Sequence, residues 1–133
     1  MYIVMTKPEP SDLDLSKWEA QIRKGGLDLA VLASLWDGKL YGLEMLRQLE
    51  SVAGLVVPEG TIYPLLSRLK ADGFVTSEWV ASAAGHPRKY YELTASGRIY
   101  LRTIAASWAE FTTGIDRLLA SMERDGHGRR KRA

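Results

Sequence analysis

From Leu15 to Trp36 the apolar residues Leu15, Trp18, Ile22, Leu29, Leu32, Ala33 and Trp36 recur at helical spacing. Gly25-Gly26 interrupts the run and weakens or divides the helix, so the pattern places the first core helix at about residues 26–36. Ahead of it, Pro8 and Pro10 mark residues 1–14 as a flexible arm, with Asp12 or Asp14 as the N-terminal cap. Asp37-Gly38 ends this helix. Tyr41 to Val52 forms a second, whose buried stripe is Leu46 and Leu49 with either Leu43 or Met45.

Gly54 closes the second helix, and Pro58 sits where a third should begin, since a first-turn proline gives up no helical hydrogen bond. From about Glu59 to Asp72, Ile62, Leu65, Leu66 and Leu69 fall at i, i+3, i+4 and i+7 toward the core, leaving Thr61, Pro64, Ser67, Arg68 and Ala71 outward. After Gly73 the repeat changes. Phe74 to Val80 and Arg88 to Leu93 are rich in β-branched and aromatic residues and flank the small-residue stretch Ala81 to Pro87, which predicts a β-hairpin. Thr94 then caps a last helix that continues to about Met122, where Gly126 and Gly128 mark a frayed end.

Three helices followed by a hairpin make a winged helix-turn-helix, in which the third helix enters the major groove and the hairpin, or wing, reaches the neighbouring minor groove or backbone. The outer face of the third helix suits that task. Gly60, Thr61, Pro64 and Ser67 are small enough to let the backbone approach a base edge, and Arg68 is long enough to reach phosphate or guanine. The wing tip, Ala81 to Pro87, carries no bulky side chain before His86 and is followed by Arg88-Lys89, adjacent cations that a strand projects to opposite faces. Of the tyrosines, only Tyr63 is expected at DNA, because stacked B-form bases offer little to stack on; at least one of Tyr90 and Tyr91 must face the core.

Charge refines this picture. The net charge of +2 is unevenly spread: residues 1–123 sum to −2, and the tail from Arg124 holds five of the 18 basic residues. Any DNA surface must therefore come from local clustering. The tail, residues 124–133, reads as a solvated basic end or a non-specific phosphate contact. With no cysteine there is no disulfide, thiol nucleophile or thiolate metal site. No apolar run approaches the roughly 20 residues that span a bilayer, and the opening five residues do not form a signal-peptide core, so a cytoplasmic protein without membrane contact is expected. His86 and His127 are too few and too far apart for a metal site. No catalytic triad, phosphate loop or H-E-x-x-H is present, so neither an enzyme nor a cofactor is expected.

Several stretches resemble the PadR family of transcriptional regulators: Gly26 to Ala33, Leu40-Tyr-Gly-Leu-Glu44, Glu59-Gly-Thr-Ile-Tyr-Pro-Leu-Leu-Ser-Arg-Leu69, Gly73-Phe74, Gly85-His-Pro-Arg-Lys-Tyr-Tyr-Glu-Leu-Thr94 and Gly97. The resemblance covers residues 26–123. It implies a homodimeric repressor with two recognition helices in successive major grooves of a palindromic operator, with Thr61, Tyr63, Ser67 and Arg68 at the DNA face and His86, Arg88 and Lys89 on the wing. The single C-terminal helix is similar to the short branch of that family, some of whose members bind flat hydrophobic compounds between subunits.

The C-terminal helix supports pairing in its own right. Leu101, Ile104, Trp108, Phe111, Ile115, Leu118 and Met122 alternate spacings of three and four, an a/d seam seeking a symmetry mate. Trp108 is too large for an ordinary layer of such a seam, so its ring either fills the dimer core or walls a cavity for a small aromatic effector. The fold expected is mainly α with a small β-hairpin: a winged domain over 15–94, a dimerisation helix over 95–123, and the arm and tail outside them. The competing functional reading is a winged helix that binds protein without sequence-specific DNA recognition.

Overall fold

The structure is a computed structural model that describes residues 13–83 and 85–132, with side chains up to Arg124. The arm readings on residues 1–12, Asp12 among them, and the side chains of the tail from 125 onward lie outside the described residues. The described elements are α1 (Ser16–Ser34), β1 (Leu40–Tyr41), α2 (Gly42–Ala53), α3 (Glu59–Ala71), β2 (Val75–Val80), β3 (Arg88–Leu93) and α4 (Ala95–Arg132). The hairpin is thus part of a three-stranded antiparallel sheet in the order β1-β3-β2. Its extra strand is only two residues long, too short to show an alternating pattern in the sequence.

α1 runs unbroken through Gly25-Gly26, where the sequence pattern predicted a weakened or divided helix. Asp14 starts it by accepting the Ser16 N–H at 3.0 Å, and hydrogen bonding to Ser16 holds the Asp14 carboxyl below its usual range. The indole of Trp108 lies about 3.9 Å from where a Gly26 Cβ would stand. Tertiary packing from α4 therefore supports the backbone where intrinsic helix propensity is lowest.

The core gathers Leu27, Val31, Leu32 and Leu35 from the first helix and its end, Met45 and Leu49 from α2, and Ile62, Leu65, Leu66 and Leu69 from α3. Met45 rather than Leu43 completes the α2 stripe, since Leu43 is 41% exposed. From the sheet come Val75, Tyr91 and Leu93, which share one face because strand side chains alternate. Gly54, with φ of +67°, terminates α2 in the left-handed conformation that glycine adopts without a Cβ penalty.

α4 is fastened at its start. Thr94 accepts the Gly97 N–H at 2.9 Å and donates its hydroxyl to the Gly73 carbonyl at 2.6 Å, so one residue caps α4 and ties it to the turn before β2. Gly97 lies directly on the Phe74 backbone, where a Cβ would collide with the Phe74 carbonyl. Phe74 and Tyr100 stack with centroids 4.0 Å apart. α4 then continues as backbone to Arg132, beyond the end near Met122 that the glycines suggested.

Candidate nucleic-acid interface

α3 presents two outward columns, which follow from its 3.6-residue repeat. Gly60, Tyr63 and Ser67 form the column toward the hairpin; Thr61, Pro64 and Arg68 form the column toward α1. Between the first column and the hairpin lies an open cleft of about 510 Å³ whose walls include Tyr63, Ser67, Trp79, Arg88, Lys89 and Tyr91. Tyr63, Ser67, Arg88 and Lys89, far apart in the chain, thus meet in one groove. Thr61, Pro64, Arg68 and His86 are exposed but do not line it.

Aromatic faces hold both hairpin cations. The Arg88 guanidinium stands 4.5 Å from the Tyr41 ring centroid, and the Lys89 ammonium stands 5.7 Å from Trp79 and 5.9 Å from Tyr91. The two occupy opposite faces of β3, as strand alternation requires: Lys89 pairs across with Trp79, Arg88 with Val80. Neither is in an ion pair among the described residues, so both keep their charge for an anionic partner. Burial raises the Tyr91 hydroxyl above its ordinary pKa, with a smaller contribution from Tyr63 beside it.

Three neighbours hold α3. On one flank the Lys70 ammonium donates to the Ser77 hydroxyl of β2 at 2.7 Å. At the N-terminal end the Tyr63 ring presses on Gly42, where any Cβ would meet its hydroxyl and ring atoms. On the other flank Arg68 donates to both carboxylate oxygens of Asp28 in α1, at 2.8 and 3.0 Å, a two-pronged bridge that raises the Arg68 pKa. Arg68, read from the sequence as long enough to reach DNA, is therefore engaged with the chain's own α1. Pro64 stands inside α3 and lacks an N–H, so the Gly60 carbonyl goes without its helical donor on the small-residue column.

Sequence reasoning did not find Tyr41, Trp79, Gly42 or Asp28. Each acts through a partner distant in the chain, although Asp28 carried a signal as a lone charge within the apolar run Leu27 to Leu32.

A second region surrounds Trp108. Its indole separates a cleft of about 440 Å³, lined by Asp28, Tyr100, Ile104, Ser107 and Phe111 among others, from an apolar cleft of about 270 Å³ bordered by Ile22, Ala30, Ala33 and Leu55. Of the α4 seam, Leu101 is buried in the chain's own core and Ile104 packs against it. Trp108, Phe111, Ile115, Leu118 and Met122 remain 38–72% exposed, an apolar stripe that the chain itself does not cover.

A solved PadR-like transcription factor from Bacteroides fragilis is 39% identical, with a TM-score of 0.64 over 77% of this chain and 99% of that one. A PadR family regulator from Eggerthella lenta is 33% identical, with a TM-score of 0.70 over 79% and 91% of the two chains. A transcriptional regulator of Mycobacterium tuberculosis is 33% identical over 81 residues, 61% of this chain and 74% of that protein. The model of the transcriptional regulator PadR-like family matches residues 31–103, which span α3, the hairpin and the first turns of α4. The chain belongs to the PadR-like family of transcriptional regulators, which are DNA-binding proteins and not enzymes.

Proposed function

We propose that this regulator is a cytoplasmic repressor that binds a palindromic operator as a homodimer. The observation that carries the reading is the groove between α3 and the wing, in which Tyr63 and Ser67 meet two cations, Arg88 and Lys89, that are in no ion pair among the described residues. In the complex, α3 enters the major groove with Thr61, Tyr63, Pro64 and Ser67 toward base edges, and the wing engages phosphates, with His86 near its tip. Stacking on Tyr41 and Trp79 limits the freedom that Arg88 and Lys89 lose on binding. The exposed stripe from Trp108 to Met122 supports a dimer through α4, because apolar side chains at a/d spacing favour a partner helix over water. The two clefts beside Trp108 support a planar hydrophobic effector whose binding releases DNA. No helix among the described residues is long and apolar enough to cross a membrane.

Footprinting the region upstream of the chain's own gene tests this reading. The expected result is two protected half-sites with centres about 10 base pairs, or a multiple of that, apart. Arg88→Ala and Lys89→Ala should each weaken binding to every duplex and flatten the dependence of log affinity on log salt by about one unit. Unchanged salt dependence in both variants would remove the wing from the interface. For the effector, equal affinity of wild type and Trp108→Ala for a planar dye would reduce Trp108 to a packing residue.

A further inference from the structure

Among the described residues, the Arg68–Asp28 bridge is the polar side-chain link between α3 and α1. Arg68 lies on α3, one turn beyond Pro64 on the outer column. Asp28 lies on α1, and besides holding Arg68 it lines the 440 Å³ cleft in which Trp108, Tyr100 and Ser107 also stand. The bridge is bidentate and about half exposed on the Arg68 side, 53% against 31% for Asp28. A planar fork on a carboxylate resists rotation in a way that a single contact does not. Opposite it, Lys70 holds the other flank of α3 to Ser77. The roll of α3 about its axis, which decides whether Ser67 and Gly60 face outward squarely, is thus fixed from two sides, and one of the fixing points is part of a cleft wall.

We propose that Asp28 is a positioning residue for DNA reading: through Arg68 it sets the presentation of α3, and through the cleft wall it couples that presentation to the space beside Trp108. The proposal rests on the reading that α3 reads duplex DNA. It gives Arg68 the role of a strut in place of the groove contact expected from its length. If Arg68 were a phosphate contact and Asp28 only a competing anion, removing the Asp28 charge would strengthen DNA binding. If the pair is a strut, removing either end has the same sign and loosens the reading face.

The test begins by selecting a preferred duplex from a random-sequence library with the wild-type chain. Affinities for that duplex and a scrambled one are then compared in wild type, Asp28→Asn, Arg68→Gln, the double variant, and the exchanged pair Asp28→Arg with Arg68→Asp, below their melting temperatures. The strut predicts that both single variants lose sequence preference by about three- to fivefold, the scale set by a half-exposed ion pair. The double variant should be no worse than either single one, and the exchanged pair should recover part of the preference. Changes in stability alone would lower the active fraction without altering the preference ratio.

The coupling is read separately. Because the chain has no cysteine, Ser107→Cys places a single thiol in the cleft wall. Saturation with the selected duplex should change the reaction rate of that thiol several-fold, and Asp28→Asn should abolish the change. The proposal is overturned by a gain in affinity in Asp28→Asn, by unchanged preference in both single variants, or by a thiol rate indifferent to duplex in the wild-type background. Failure of the wild-type chain to select any duplex overturns the DNA reading itself, and the strut with it.

Discussion

The two halves of α4 carry one apolar repeat and end in different surroundings. In the first half, Leu101 is 6% exposed and Ile104 packs against the core, while Gly97 and Tyr100 lie on Phe74. In the second half, Phe111, Leu118 and Met122 occupy equivalent positions of the repeat and are 62–72% exposed. The repeat records only that one face of the helix avoids water. What covers that face is decided by where the rest of the chain packs: Trp108 lies on Gly26, and Phe111 only borders a cleft that α1 lines with Lys24, Gly25 and Asp28.

The largest expected effects separate the halves by the kind of damage done. Leu101→Ala removes a buried side chain from the chain's own core and should destabilise the winged domain by about 2–5 kcal/mol, seen as a lower urea midpoint at any protein concentration. Phe111→Asp with Ile115→Asp places charges on the uncovered stripe. It should leave the midpoint of the isolated chain close to wild type and abolish dimers in sedimentation. A double variant that still sediments as a dimer would remove the stripe from the interface and leave the second half without an assigned partner.

Gly97→Ala comes next. The new Cβ would meet the Phe74 carbonyl, which belongs to backbone and cannot swing aside as a flexible side chain can. The start of α4 would have to lift from Phe74, straining the Thr94 cap and the ring stack with Tyr100. An overpacking cost of about 1–3 kcal/mol follows, measurable by thermal melting. A variant that melts with wild type would show that the contact yields at no cost.

The same contrast explains how much could be read from sequence. Ile62, Leu65, Leu66 and Leu69 are all buried because a four-residue apolar stripe on a short helix has a single consistent orientation. Tyr91 faces the core and Tyr90 does not, as alternation along a strand demands. Thr94 caps α4 through a local hydrogen bond, the kind of interaction that sequence spacing reveals.

Readings that depended on distant partners fared differently. Gly25-Gly26 suggested a break, and α1 runs on because Trp108, far along the chain, packs there. Arg68 looked free to reach outward, and its guanidinium is held by a carboxylate 40 residues earlier. Leu101 fitted the seam by spacing, yet it completes the chain's own core. In the candidate site, the outward columns of α3 and the two wing cations were legible, whereas the aromatic residues that orient those cations were not. Tyr41 and Trp79 meet Arg88 and Lys89 through strand pairing and the turn into α2, which no local pattern encodes.

The smallest effect tests the uncovered half most directly. Gly114 lies inside α4 between Phe111 and Ile115, and apart from its chain neighbours and its own helix backbone no atom of the described residues lies within 4 Å of where its Cβ would stand. In the isolated chain Gly114→Ala meets no obstacle and should stabilise the helix by about 1 kcal/mol, the ordinary difference in propensity between the two residues. A partner helix crossing at this layer would change the sign, because a glycine on a seam permits close backbone approach and a methyl group would hold the helices apart. Two measurements therefore need to be made on one variant: the melting temperature at a concentration where monomer prevails, and the dimer dissociation constant by sedimentation. A higher melting temperature with weaker dimerisation places the partner's backbone against Gly114. A higher melting temperature with unchanged or tighter dimerisation moves the crossing point away from it, toward Trp108 or Met122.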